Sequence, residues 1–517
     1  MRALAALCTG LCLALPCPAT AQAAPDSPGA ANALVTEGVA LLRANRPAEA
    51  RAKFESARAA EPANAFAHYF LGYLLEQDRD WNAATAAYQR AIELSPSMAE
   101  AHDRLGFVLG QQGETARAIE QFSRAAALKP DLFDAHYHLG ATLWWQKQPD
   151  AALAPLRTAV RLQPGHAEAR YYLGLTYRQL GNRDAAVAEL REAVSSNPSL
   201  SVAHAHLGIA LRERGDADDA VRVLKHALTL DPGLDDAANA LGLAYMERGD
   251  ADLAVETFAA LVARSPDYGA ARHNLGTAYM QKGDLASAVA AYRELVARDP
   301  ANGEAQYNLG TALKQQDDFA GAEAALREAV RLEPDLPEAR YTLGVVLWQT
   351  KRQAEAAEAF RAAIRVKPAY AEAHYMLGTV LRQLGDADEA LARFREALQY
   401  QADMPEAWIG IGQILQRRRD RVGAAAAFAK AEDLRARKAD AQAATFAIGT
   451  GMQKLEAGDI AGAVAQLREA VRLAPENAQA HYQLSIALRR QGAAQEAAAH
   501  LAEARRLAPD AVVDDAR

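Results

Sequence analysis

A Leu-Gly dipeptide returns every 34 residues over most of the chain. Ten copies keep this spacing without a gap, and they begin at Leu71, Leu105, Leu139, Leu173, Leu207, Leu241, Leu275, Leu309, Leu343 and Leu377. A fixed period of this length is typical of a stacked array rather than of one globular domain. Each unit is too small to bury a core alone, so it must pack against its neighbours.

Small residues recur at the glycine of this dipeptide and at two further positions of the period. We number each unit from its first residue, which is position 1. The units start at Ala31, Ala65, Ala99, Phe133, Ala167, Ser201, Asp235, Gly269, Gly303, Pro337, Ala371 and Pro405, then at Ala444 and Ala478 after a slip of five residues. Position 8 is Gly in all but the last unit, position 20 is Ala in every unit, and position 27 is Ala in most. Gly within a helix costs roughly 1 kcal/mol relative to Ala. Its recurrence therefore predicts a close approach of two helices at position 8.

Each unit reads as two helices, at positions 1–14 and 18–31, joined by a short turn and ended by Pro at position 32, as at Pro334. This pattern resembles the tetratricopeptide repeat family, and the resemblance covers nearly all of the chain after residue 30. It implies an all-α fold, a right-handed α-solenoid of about fourteen helix-turn-helix units. The array spans 31–438 and 444–511, with a helical insertion at 439–443 and a tail at 512–517.

The first 23 residues are typical of a secretory signal peptide. Arg2 precedes an apolar run from Ala3 to Leu15, and Ala21-Gln22-Ala23 fits a cleavage site. All three cysteines lie in this segment, but the residues before them do not fit a lipoprotein signal. We expect residues 24–30 to be a disordered leader, and the mature chain to be exported to a periplasm or secreted, without a transmembrane helix.

The regular spacing fails once, between Ala424 and Gly451. Ala402 and Ala436 replace the helix-ending Pro, and the segment from Lys430 to Ala444 is charged and helix-forming. We expect an elongated helix here. It is either a tolerated insertion with a solvated face or a point where the array changes direction, and the first interpretation is favoured.

Composition and motifs argue against several classes of function. The net charge of −8 is spread along the chain, without the basic face that nucleic-acid binding requires. No nucleophile elbow, phosphate-binding loop or His-Glu-x-x-His motif is present. Six histidines share position 4, but equivalent atoms of successive units are roughly 10 Å apart, too far for one metal ion. We therefore predict a non-enzyme without metal or cofactor, in which these histidines are structural.

In the resembled family, positions 2, 5, 9, 12 and 13 of the first helix line a concave groove. The aromatic and polar side chains at these positions or beside them are predicted to bind a partner: Tyr137, Trp144, Trp145, Tyr171, Arg178, Arg212, Asn274, Tyr307, Asn308, Lys314, Tyr341, Trp348, Tyr375 and Arg382. Trp and Arg are the usual anchors of interfaces. The tyrosines are as readily explained by packing against the next helix. The carboxylate clamp of chaperone-binding relatives is absent, because position 5 is never Lys and position 9 never Asn.

These patterns favour a binding scaffold for an extended peptide or protein segment. Two alternatives stay open: the substrate-recruiting arm of a separate envelope enzyme, such as a glycosyltransferase or peptidase, and a glycan-binding solenoid. The sequence is compatible with a homo-oligomer.

Overall fold

The computed structural model describes residues 29–508, in which twenty-seven α-helices and no strand are present. The predicted signal peptide, most of the leader and the tail at 512–517 lie outside the described residues. The helices belong to two compact units, one through Asp284 and one from Leu285. The predicted all-α fold of stacked helix pairs is confirmed, whereas the right-handed superhelix stays a prediction.

Helices alternate between the first and the second member of each repeat. The first unit holds α1 Ala30–Arg43, α2 Pro47–Ala60, α3 Ala65–Gln77, α4 Trp81–Leu94, α5 Ala99–Gln111, α6 Thr115–Leu128, α7 Phe133–Trp145, α8 Pro149–Leu162, α9 Ala167–Gln179, α10 Arg183–Ser196, α11 Ser201–Arg214, α12 Ala217–Leu230, α13 Asp235–Arg248, α14 Ala251–Arg264 and α15 Gly269–Lys282. The second unit holds α16 Leu285–Arg298, α17 Gly303–Gln315, α18 Phe319–Leu332, α19 Pro337–Gln349, α20 Gln353–Val366, α21 Ala371–Leu384, α22 Ala387–Tyr400, α23 Pro405–Arg417, α24 Arg421–Glu456, α25 Ile460–Leu473, α26 Ala478–Gln491 and α27 Ala494–Leu507.

The second helices run from position 17 to position 30, one residue earlier at each end than the sequence predicts. Their start follows a capping residue at position 16; the Asp318 side chain, for example, accepts a hydrogen bond from the Gly321 amide. Where Pro stands at position 32, it accounts for their end, because the residue before a proline avoids the α-helical region. Glu333, which precedes Pro334, accordingly has φ −125° and ψ 81°. The helix α22 ends at the same position although Ala402 replaces the proline.

The glycine at position 8 allows the two helices of a repeat to touch, as predicted. A Cβ atom on Gly344 would lie 2.7 Å from the ring of Phe360, which is itself fully buried at position 24. The same relation joins Gly208 to Leu224 at 2.4 Å. Position 24 therefore supplies the bulk that fills the space left by the glycine, a partnership that the sequence analysis did not identify.

The turn inside each repeat needs a left-handed residue at position 15. Eight repeats use Gly there, as at Gly385 with φ +93°, and six use other residues, as at Lys351 with φ +63°. Left-handed backbone costs a residue with a Cβ atom roughly 1–2 kcal/mol. The turn conformation is therefore a requirement of the hairpin, which six repeats meet without glycine.

The segment with the broken spacing lies within a single 36-residue helix, α24. Its first part pairs with α23 and its last part with α25, so it serves as the second helix of one repeat and the first helix of the next. The nine residues 435–443 between these parts are all exposed. The missing proline at Ala436 and the helix formers around it thus convert a turn into continuous helix with a solvated middle. The missing proline at Ala402 has no such effect, because α22 ends at Tyr400.

Candidate peptide-binding face

Several polar contacts between the first helices of successive repeats share an offset of 35 residues. In the first unit, the Asn274 side chain donates to Asn239 Oδ1 at 2.8 Å, from position 6 to position 5 of the preceding repeat. Position 12 likewise meets position 13 of the next repeat, as in Arg178 with Glu213. We call the surface formed by positions 2, 5, 9, 12 and 13 of these helices the first-helix face.

The tryptophans of α7 belong to an aromatic cluster on this face. The rings of Trp144 and Trp145 meet edge to face with centroids 5.0 Å apart, and Trp144 lies 5.5 Å from Tyr172. Trp145 Nε1 donates to the Tyr172 hydroxyl at 3.3 Å. Trp144 Nε1 is shielded from solvent and donates no hydrogen bond among residues 29–508. Both indoles stay half-buried, so each keeps an edge open to a partner.

The two tyrosines predicted next to these tryptophans differ in exposure. Tyr137 is only 6% exposed and packs between Phe133 and His166, with centroids 5.8 and 5.2 Å away. The ring of Tyr137 is therefore almost fully covered and supports the aromatic cluster by packing against its neighbours. Tyr171 is half-buried and lies 5.6 Å from the ring of His206, whose pKa burial lowers to about 4. His206 is thus a neutral neighbour of the face at ordinary pH.

Arginines at position 12 of the first unit are held by acids of the next repeat. Arg178 donates from Nε and Nη2 to both carboxylate oxygens of Glu213, each at 2.9 Å. Arg212 donates to Glu247 Oε1 at 2.7 Å. Both arginines are half-buried. Paired in this way, they present planar guanidinium surfaces rather than free charges.

On the second unit, three tyrosines occupy position 5 of consecutive repeats. Tyr307, Tyr341 and Tyr375 are all half-buried. The ring of Tyr341 rests 5.2 Å from Tyr370 and 5.7 Å from Phe360. The same position of successive units therefore presents a row of phenol rings.

The position-12 side chains of this unit stand beside the tyrosine row. Trp348 Nε1 donates to Gln383 Oε1 at 3.0 Å, again with the offset of 35 residues. Lys314 and Arg382, one repeat to either side of Trp348, are half-buried. Asn308 is half-buried on α17. The predicted site residues of this unit thus lie on successive first helices, and Trp348 is half-buried among them.

The comparisons with known proteins identify the repeat. A family model described as tetratricopeptide repeat matches residues 35–99, 142–201, 171–235, 206–269, 239–303, 273–337, 307–373, 375–444 and 449–512, and a related model described as TPR repeat matches 109–147. The chain belongs to the tetratricopeptide repeat family. Repeats of this family form protein–protein interaction scaffolds.

Solved tetratricopeptide repeat structures align with about a third of the chain. YrrB, described as having an unusual peptide-binding site, is 26% identical, covers 36% of this chain and 96% of its own, and gives a TM-score of 0.34. MamA is 28% identical, covers 32% and 96%, and gives 0.31. PilF of Pseudomonas aeruginosa is 23% identical, covers 37% and 88%, and gives 0.35. No curated protein matches the chain.

The sequence analysis missed a buried network of charged side chains. The network joins α3, α5 and α7, which are the first helices of three consecutive tetratricopeptide repeats. Arg104 lies within 3.5–3.9 Å of Glu76, Asp103 and Asp134. Its neighbour His138 donates from Nδ1 to Asp103 Oδ1 at 2.9 Å. Glu76, Asp103 and His138 are each less than 7% exposed. Removing one member would leave a buried charge unpaired, so the network fixes how these repeats pack.

The pKa values of this network favour the ionised pair. Burial acts to lower the pKa of His138, but the charge and hydrogen bond of Asp103 outweigh it and raise the pKa. Burial acts to raise the pKa of Asp103, and His138 and Arg104 outweigh it and lower the pKa. Burial raises the pKa of Glu76 despite Arg104 and the hydrogen bond from Tyr88. His138 and Asp103 therefore stabilise each other as ions.

The histidines at position 4 link successive tetratricopeptide repeats. His374 Nε2 donates to the Pro368 carbonyl at 2.8 Å, and equivalent contacts of 3.0–3.2 Å are made by His68, His102, His136, His204 and His481. Arg340 makes the same contact to Pro334 at 2.8 Å. The carbonyl has no partner within its own helix, which has already ended. These contacts support the predicted structural role.

Two further observations concern the part of the chain that the structure describes. Within residues 29–508, no three His, Cys, Asp or Glu side chains are grouped closely enough to hold a metal ion. None of the described helices is long and apolar enough to cross a membrane.

Proposed function

We propose that the chain is an exported, non-catalytic scaffold that holds an extended peptide or protein segment along the first-helix face. In this proposal the face is the inner groove of each unit. The partner lies across successive repeats and meets the same helix positions in each. Homo-oligomer formation is compatible with this arrangement.

The observation that carries the proposal is the chemistry gathered on one face. Trp144, Trp145 and Trp348 are half-buried, and arginines stand at the same position of neighbouring repeats. Side chains of these two types supply most of the binding energy at interfaces, because they combine large contact area with hydrogen-bond donors. Their surrounding contacts hold the rings in place before binding, which reduces the entropy lost on association.

Export is proposed from the leading sequence. Arg2, the apolar run from Ala3 to Leu15 and the Ala21-Gln22-Ala23 site together fit a cleaved signal peptide. N-terminal sequencing of the chain recovered from the periplasm or the medium should read from Ala24. A chain that is recovered intact from Arg2, inside the cell, would contradict export.

Capture experiments test the binding face. The mature chain is immobilised, and proteins of its own envelope fraction are retained and identified. We expect Trp144→Ala/Trp348→Ala to lose at least one specific partner. The matched control is Trp81→Ala/Tyr400→Ala, which removes one aromatic ring per unit from second helices. Retention of every partner by the first variant would contradict the face.

Two alternatives are separated by the same material. A separate envelope enzyme, such as a glycosyltransferase or a peptidase, that is captured in a Trp-dependent manner would identify the chain as a recruiting arm. The paired rings of Trp144 and Trp145 also suit stacking on sugar rings. Retention of a purified polysaccharide instead of protein would support a glycan-binding solenoid.

A further inference from the structure

We propose that the first-helix face of the second unit selects an acidic extended peptide. Its carboxylates bind Lys314, Arg382 and Arg417, and an apolar side chain between them packs on Trp348. This inference rests on the proposed function and specifies the chemistry of the partner.

In the first unit, two arginines at position 12 are neutralised by ion pairs within the chain. Arg178 and Arg212 each find a carboxylate 35 residues further along, on Glu213 and Glu247. The repeat geometry therefore places position 13 of the next repeat where it can pair with position 12. An acid at that place forms an ion pair with the guanidinium within the chain.

The second unit lacks this acid. The residue 35 positions after Lys314 is Gln349, and the residue 35 positions after Arg382 is Arg417. Among residues 29–508, no carboxylate lies within 4 Å of the charged atoms of Lys314, Arg382 or Arg417. Where the first unit has an acid, the second unit thus has the neutral Gln349 after Lys314 and a second cation, Arg417, after Arg382.

The guanidinium of Arg382 also carries an unsatisfied donor. Its Nε is shielded from solvent and donates to no acceptor in the described part of the chain. A buried donor without a partner costs about 1–3 kcal/mol, and more when the group is charged. Arg212 of the first unit has an equally unpartnered Nε beside its ion pair with Glu247. It is therefore the missing carboxylate, and not this donor, that favours an anionic occupant.

Acids of the same face lie at its opposite edge. Glu338, Glu372 and Glu406 stand at position 2, ten residues before position 12. Ten residues of α-helix span about 15 Å. The face thus has an acidic edge and a basic edge, and the tyrosine row lies near the acidic edge. Repulsion from the acidic edge directs an acidic peptide to the basic edge, which holds Trp348.

The repeat spacing sets the spacing of the acids in the peptide. Lys314 and Arg382 are two repeats apart, and neighbouring packed helices have axes about 8–10 Å apart. An extended chain advances about 3.3 Å per residue. Two carboxylates that reach both cations should therefore be about five or six residues apart, with the apolar side chain for Trp348 midway.

The test uses a labelled synthetic peptide with two Glu residues six positions apart and a Trp midway, in a Gly/Ser background. Its counterpart carries Gln in place of both Glu residues. Binding to the chain is measured by fluorescence anisotropy. We expect the acidic peptide to bind at least about tenfold more tightly, as loss of a charge-assisted hydrogen bond would give, and its affinity to fall with added salt.

Variants locate the effect. Lys314→Gln/Arg382→Gln should remove the preference for the acidic peptide. The matched control is Arg365→Gln/Arg395→Gln, which removes two exposed arginines from second helices and should leave the preference intact. Equal binding of both peptides to the unmodified chain, or a preference that survives the first variant, would overturn the inference.

The outcomes separate this inference from the proposed function. If Trp348→Ala weakens both peptides equally while the Lys314/Arg382 variant changes nothing, the face binds but does not select acids. If Trp348→Ala affects neither peptide nor the capture of partners, the proposed face of this unit is itself wrong. A uridine oligonucleotide that displaces the acidic peptide and binds more tightly would also overturn the inference.

Discussion

Arg178 donates two hydrogen bonds of 2.9 Å to the carboxylate of Glu213, which lies 35 residues further along, on the next repeat. This bidentate pair ties neighbouring first helices together. Both side chains are about 30% exposed. Solvent therefore weakens the pair, and a double-mutant cycle with Arg178→Ala and Glu213→Ala should give a coupling free energy of about 1 kcal/mol or less. A coupling of zero would show that the pair adds orientation but no stability.

The same offset allows the missing pair to be built in the second unit. Arg417→Glu places an acid 35 residues after Arg382, as in the first unit. We expect this variant to lose the preference for the acidic peptide at least as fully as Arg382→Gln, because the guanidinium is then neutralised within the chain. Anisotropy with the Glu and Gln peptides measures it. Unchanged selectivity in Arg417→Glu would show that Arg382 does not bind the peptide.

Packing at position 8 predicts opposite effects for two glycines of the second unit. In Gly344→Ala the new methyl group meets Phe360 at 2.7 Å, which should cost about 1–3 kcal/mol and outweigh the gain in helix preference. Gly449→Ala lies in α24 with no atom within 4 Å, so it should stabilise by roughly 1 kcal/mol. The urea midpoints of the two variants should move in opposite directions, and a shift of both to higher urea would contradict the packing account.

The Asp103–His138 pair predicts a pH dependence. Because the pKa of His138 is raised in the folded chain, protonation contributes its full stability below the unfolded pKa of about 6.5, and this stability is lost as pH rises through the folded pKa. Because the pKa of Asp103 is lowered, its contribution is lost only as pH falls from about 3.9 through the folded pKa.

An NMR titration of the His138 ring measures this dependence. We expect a pKa above 6.5 in the unmodified chain. In Asp103→Asn the pKa should fall below 6.5, because burial and the charge of Arg104 then lower it against the smaller opposing effect of Asp134. An unchanged midpoint in the variant would show that the carboxylate does not raise the pKa of His138.

The repeated positions made the fold predictable. The Leu-Gly spacing, the small residues and the prolines recur because most units share the same helix packing and helix ends. Gly344 could therefore be assigned to helix packing from the sequence. The elongated helix has a sequence signal of the same kind at Ala436, which stands where other repeats have Pro, whereas the same change at Ala402 leaves the end of α22 at Tyr400. The second helices begin one residue earlier than predicted because position 16 is their N-cap, and in most repeats they end one residue earlier because the proline restricts the residue before it.

The individual contacts were not predictable from the period. Glu76, Arg104 and His138 occupy positions at which other repeats carry unrelated residues, so no recurrence marks their network. Tyr137 and Tyr171 share position 5, yet only the first is covered, because Phe133 and His166 pack on it. The offset of 35 residues depends on the angle at which two neighbouring first helices cross. The repeat length of 34 residues carries no information about that angle. With this offset known, the sequence would have shown that Gln349 and Arg417 stand where the first unit has acids.

Photo-crosslinking tests the central claim most directly. A photoreactive phenylalanine replaces Tyr341, on the first-helix face, or Tyr400, which is 46% exposed at the end of second helix α22. Both chains are irradiated in the envelope fraction. The account predicts a discrete partner adduct from position 341 and none from position 400. Adducts from position 400 alone would contradict it and place the binding surface on the second helices.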